Sequence, residues 1–210
     1  MKKLGSLVLF FLVLISLSCK EKPKQLDDNE SHFDLSVIID QLLRFRFEEV
    51  ALLQIETMPI YQDSYWYNDS LEEIPPPPLT INYSRSFFYT MYEQNLIDSL
   101  EAHYMYNEIK GKNIIRLDTT IIDIACISQF ELDSLFEKQD ISDSYDSIEK
   151  KYGASRFLKV STPIFNENKD KLLISIDYYC GPLCGQGYVL LLEKKNGDWA
   201  VIKEWGTWES

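Results

Sequence analysis

Apolar and polar positions alternate along this chain with two distinct periods, and each period predicts its own elements. Leu35, Ile38, Ile39, Leu42, Leu43, Val50 and Leu53 recur at helical spacing, which predicts a helix over residues 31–57. Ser31 with Asp34 three positions later suits a capping box at its start, and Pro59 ends it. The run LTINYSRSFFYTMY at 79–92 is aromatic and β-branched enough for strand, in one piece or two broken near residues 84–86. Asp98 with Glu101 predicts a second capped helix ended by Gly111. Residues 113–127 return to a strand pattern. Phe130 to Tyr152 reads as a helix with Tyr145, Ile148 and Tyr152 on one face and Gly153 closing it.

The last sixty residues carry the clearest period of two. Arg156–Thr162 predicts a short strand. From Leu172 to Cys180 the chain alternates, with Leu172, Ile174, Ile176 and Tyr178 on one face and Leu173, Ser175, Asp177 and Tyr179 on the other. The tight segment GPLCGQG leads into a strand over 188–194. Asn196-Gly197 is a strong hairpin signal, and residues 198–205 complete a meander. The pattern predicts an α+β fold with helices packed on one face of an antiparallel sheet and a C-terminal β-meander.

The beginning of the chain has a different character. Lys2 and Lys3 precede an apolar run over 4–17 that is too short to span a bilayer stably, and Ser16-Leu17-Ser18 leads to Cys19. This layout predicts a signal peptide over 1–18 and resembles the signal of bacterial lipoproteins, in which Cys19 is acylated, as by palmitate. Residues 19–30 are charged and poor in apolar side chains, a flexible tether. Residues 31–210 form a single α+β domain, with 60–78 as the place where it could divide. Two acyl chains would make a stable membrane anchor. Lys20, beside the cysteine, is not the Asp associated with inner-membrane retention, so the expected address is the outer membrane of a bacterial cell envelope.

Charge narrows the partners. The chain carries 33 acids against 21 lysines and arginines, a formal net charge of −12. Cleavage after residue 18 removes two positive charges and no acid, leaving −14. Nucleic acid and anionic lipid surfaces would repel such a chain. The expected partners are the membrane through the lipid on Cys19, and an envelope protein or small ligand.

Cysteine usage agrees with export. Cys180 and Cys184 close a short loop, where a disulfide adds about 2 kcal/mol by loop entropy. Cys126 sits in an apolar run, IIDIACI, as a small buried hydrophobe. A dithiol redox pair would have two intervening residues at a helix N-terminus; here three intervene and a strand follows. Zinc would need further ligands, and the histidines are His32 and His103 alone. No cofactor or metal is expected. The glycines of GPLCGQG open a strand rather than a helix, which argues against a phosphate cradle; positive φ in a tight connection accounts for them.

Candidate chemistry is sparse. His103 is the one plausible general base of its type, and a hydrolase would pair it with an acid. Asp177 stands out among the acids because it points off a regular strand beside Tyr179. Tyr61, Tyr65, Trp66 and Tyr67 lie in a loop without periodicity and form the candidate binding surface. Trp205 shares a face with Trp199 and Val201, at core spacing.

The stretch CGPLCGQGYVLLLEKKNGDWAVI, preceded by STPIFNENKDKLLISIDYY and followed by WGTW, resembles the C-terminal region of a family of uncharacterised bacterial proteins, many of them lipoproteins. That family carries a strand ending in CG-x-LCG-x-G and a lysine-rich hairpin closed by Trp. The resemblance implies a fold and an envelope location, and brings no activity. The favoured expectation is a non-catalytic binding module on a lipid anchor. The alternatives are an envelope hydrolase built on His103 and an acidic immunity-type protein that neutralises a basic toxin.

Overall fold

The computed structural model describes residues 28–47, 52–62, 81–110, 112–138 and 140–210. The signal, Cys19, most of the tether and residues 65–67 of the aromatic loop lie outside the described residues. Tyr61 lies in a strand whose side chain at that position is not described.

The first helix, α1 (Asp28–Arg46), starts inside the expected tether and ends eleven residues before the expected stop at 57. Ser31 is therefore already within the helix rather than at its cap. Leu52 and Leu53, predicted as the helix's last turns, instead form β1 (Leu52–Gln54). Both leucines have no exposed surface, and they point to opposite sides. A strand buried on both faces reads as a continuous apolar run, which spacing cannot separate from a helix.

Strands β2 (Ile60–Gln62) and β3 (Ile81–Tyr83) pair in parallel as a separate two-stranded sheet. The run SFFYTMY, expected as strand, is helical: α2 (Arg85–Glu93). Ser84 caps it by accepting a hydrogen bond from the Phe87 amide. Phe88 and Met91 are buried while Tyr89 and Tyr92 are exposed, a helical division of faces that the aromatic content had concealed. Helix α3 (Ser99–Glu108) keeps its expected capping box, with the Asp98 carboxylate accepting from the amides of Leu100 and Glu101 and Glu101 accepting from the Asp98 amide. Of the strand expected over 113–127, only β4 (Ala125–Ile127) forms. The helix expected over 130–152 is two, α4 (Gln129–Lys138) and α5 (Ile141–Tyr152), and Gly153 closes the second at φ 74°.

The main sheet adds β5 (Phe157–Val160), β6 (Ile164–Phe165), β7 (Lys171–Gly181), β8 (Cys184–Lys195) and β9 (Asp198–Glu209). Its order is β4-β1-β5-β7-β8-β9, with β6 also on β7. The pairings of β1 are parallel and the rest are antiparallel. Asn196 and Gly197, both at positive φ, make the β8–β9 turn.

The α+β class and the C-terminal meander follow the expectation. The helices, however, divide between two faces. Leu172, Ile174 and Ile176 of β7 pack with Leu35, Ile38, Ile39 and Leu42 of α1. On the opposite face Leu173 joins the core of α2 and α3, while Phe157 and Tyr179 join that of α4 and α5. A β-bulge opposite Leu191–Leu192 shifts the register of β9, so Trp199 and Val201 face α1 whereas Trp205 faces α2. The shared face expected for Trp199 and Trp205 is broken there, because one inserted residue reverses the alternation.

Candidate functional site

Cys180 and Cys184 form a disulfide that staples the β7–β8 connection, with Cα atoms 5.0 Å apart. Reversing it by Cys180→Ser with Cys184→Ser is expected to cost about 2 kcal/mol, the loop-closure entropy of so short a ring. Chemical denaturation checks this, and the Trp208 contact described next should survive in the double variant.

The neighbouring glycines do not serve positive φ, since Gly181, Gly185 and Gly187 all lie outside the left-handed region. Their role is close approach. Asp177, Gly187 and Trp208 stand in register across β7, β8 and β9. The Trp208 indole lies flat over β8, and its Nε1 donates to Asp177 Oδ1 at 2.9 Å, two strands away. A Cβ on Gly187 would sit 2.1 Å from that Nε1, and one on Gly185 would sit 2.7 Å from the ring's Cη2. The G-x-G spacing places both bare positions on one face, a bed for the indole.

Asp177 is 4% exposed, and burial pushes its carboxyl up to about 6, against the Trp208 bond and the charge of Lys159. Lys159 is opposite Asp177 in register. Its ammonium lies over the Tyr179 ring, 5.6 Å from the centroid, and burial pulls its pKa down while Asp133 and Asp177 oppose that. Tyr179 stacks on Phe157 at 4.9 Å and tilts against Trp208 at 5.5 Å. Nearby, the Tyr83 hydroxyl is 2.5 Å from Ser175 Oγ, and burial drives that phenol well above its ordinary value. Gln54, on the same face, has a buried Oε1 without a hydrogen-bond partner among the described residues. These groups fill the gap between the two helix pairs. With Asp177 and Gln54 sealed from solvent, the cluster braces the sheet rather than opening a site.

The open site lies between α2 and α3. Arg85, Phe88, Tyr89 and Tyr92 form a stripe at i, i+3, i+4 and i+7 on α2, and Ser99, Ala102, His103 and Tyr106 repeat that spacing on α3. The two stripes face each other across a groove of about 450 Å³. Phe88 and Tyr106 meet edge to face at its base, 5.8 Å apart. Tyr89 and Tyr92 form an exposed tilted pair at 6.1 Å on one wall, and the Tyr89 phenol is raised by its hydrogen bond to Glu93 at the rim. The groove is open: Arg85, Tyr89, Tyr92, Ser99 and His103 are exposed, over a buried base of Phe88 and Tyr106.

His103 lines this groove, but among the described residues no acid is bonded to it. Its Nε2 lies 2.9 Å from Asn107 Nδ2. The nearest carboxylate in sequence, Glu101, is engaged elsewhere, by the Asp98 amide, Asn166 and Lys171. Asp177 is on the sheet, in the separate cluster with Trp208. Cys126 is half-buried against the α1 core, with its thiol pushed up by burial. Among the described residues, no three His, Cys, Asp or Glu side chains gather to hold a metal, and no helix is long and apolar enough to cross a membrane.

The sequence singles out His103 and Asp177, and offers Trp208 with Trp199 and Trp205 as aromatics that could stack on a ligand, but it points neither to Lys159 and the tyrosine wall nor to the bond from Trp208 to Asp177. The matching stripes on α2 and α3 are a signal in the sequence, hidden by the strand-like aromatic composition of α2. No family model, curated protein or solved structure matches this chain. What fold and site define is an α+β protein with a disulfide-stapled meander and an aromatic interhelical groove.

Proposed function

We propose that this chain is a lipid-anchored protein of the bacterial cell envelope, held at the outer membrane through acylated Cys19, that binds a small ligand without transforming it. The observation that carries the binding part is the α2–α3 groove, whose facing stripes present aromatic walls and whose histidine is bonded to an amide. A general base needs a partner that orients it and a reacting group within reach; an Asn one helical turn away supplies neither charge nor proton relay. The anchoring part rests on the residues leading to Cys19 and on the resemblance of the CGPLCGQG region to lipoproteins.

Cys19→Ala is expected to move the chain from the membrane fraction to the soluble fraction of fractionated cells, with an unchanged Tm. Retention of the variant at the membrane would overturn the anchor. The anchor acts by tethering alone, so ligand binding by the variant should equal that of the parent protein.

A further inference from the structure

We infer that the α2–α3 groove selects an apolar monocarboxylate, bound with its carboxylate on Arg85 and its body against the tyrosine wall. This rests on the groove being the binding site proposed above. Arg85 opens α2 at the mouth of the groove, and its guanidinium lies over the Tyr106 ring, 5.3 Å from the centroid. In a chain with 33 acids against 21 lysines and arginines, Arg85 makes no ion pair among the described residues. Other arginines find carboxylates: Arg44 with Asp40, Arg46 with Glu204 and Arg116 with Glu56.

The cation–π contact with Tyr106 keeps the guanidinium at the mouth of the groove, and a guanidinium there can receive a carboxylate through two parallel hydrogen bonds. Charge decides the anion. One guanidinium balances one negative charge, whereas a phosphate dianion would face an acidic protein and Glu93 at the rim with a single cation. The body of the ligand is set by what remains. Phe88, Tyr89, Tyr92 and Tyr106 offer ring faces and edges, and His103 and Ser99 supply the polar groups on the opposite wall.

The test titrates the purified full chain with 2-naphthoate, 4-phenylbutyrate and decanoate, and with the primary amide of each. Binding is read by calorimetry and by NMR of the His103 and tyrosine ring protons. At least one acid should bind about tenfold or more tightly than its amide, the worth of a charge-assisted hydrogen bond pair. Arg85→Gln, an exposed change that leaves the core intact, should abolish that difference, read as the ratio of acid to amide affinity within the variant.

Equal binding of acids and amides, or an acid preference that survives Arg85→Gln, would overturn the carboxylate assignment and leave the groove as a site. Ring shifts absent for every probe, or binding unchanged in Tyr89→Ser with Tyr92→Ser, would overturn the groove itself. Loss of binding in that double variant, with its circular dichroism unchanged, supports the groove, and loss of the acid preference in Arg85→Gln supports the carboxylate assignment.

Discussion

Gly187→Ala is expected to cost about 2–3 kcal/mol, an effect out of proportion to one added methyl group. The new Cβ would lie 2.1 Å from Trp208 Nε1, 2.2 Å from Trp208 Cδ1 and 2.4 Å from Thr207 Oγ1. None of these separations is tolerable, so the indole must leave its bed. Two consequences follow. The Tyr179–Trp208 contact at 5.5 Å is lost, and the Asp177 carboxylate loses its donor. Overpacking of this kind costs about 1–3 kcal/mol, and a buried acceptor left unsatisfied costs about 1–3 kcal/mol more unless water replaces the donor; displacement of the ring admits that water and limits the total.

A double-mutant cycle distinguishes this from a generic glycine effect. In a Trp208→Ala background the indole is gone and only the Thr207 hydroxyl, the end of a side chain that can rotate, is left in the way, so Gly187→Ala should cost clearly less there than in the parent. Equal costs in the two backgrounds would show that Gly187 serves its own strand rather than the indole. Urea denaturation gives the free energies, and the indole N–H resonance of Trp208 should move toward its solvent-exposed position in Gly187→Ala alone.

The same residues show what could be read from the sequence. The meander was legible because β7 alternates and Asn196-Gly197 sets its own turn; both are local rules. The capping box at Asp98 and the stop at Gly153 were legible for the same reason. β1 was not, since Leu52 and Leu53 are apolar for two different cores and only the sheet order separates them. Helix α2 was lost to composition: Phe87, Phe88, Tyr89 and Tyr92 suggest strand until Phe88 and Met91 are seen to share a face. The groove disappeared with it, because its α2 stripe has meaning only at 3.6 residues per turn. The glycines of GPLCGQG read as structural from the sequence, but their cause lies 21 residues downstream of Gly187, in Trp208, where no local rule could point.

Asp177→Asn should make the protein more stable at pH 7.5 by about 1–3 kcal/mol, and the gain should vanish near pH 4. The folded carboxyl sits at about 6 against an ordinary 3.8, a displacement corresponding to about 3 kcal/mol. Because the folded value is the higher one, the native state holds its proton longer than the unfolded chain. Stability from this group is thus fully present below about 3.8 and is lost as pH rises through about 6. Asparagine keeps an oxygen to accept from Trp208 Nε1 and never ionises, so it removes the penalty while preserving the bond.

Lys159, the facing cation, sets the lower end of the range, since it loses a counter-charge in the variant. Its own titration has the opposite sign and lies on the alkaline side, because burial lowers its folded value below 10.5. Asp118, lowered by its bonds to Thr120, and Glu131, lowered by Lys151, lose their contributions as pH falls, which masks Asp177 in the parent protein's own profile. The difference between parent and Asp177→Asn cancels those terms. Plotted against pH, it should climb between about 4 and 6.5 and level off above. A flat difference would mean that Asp177 ionises freely in the fold, and that Lys159 and Trp208 offset the whole cost of burying its charge.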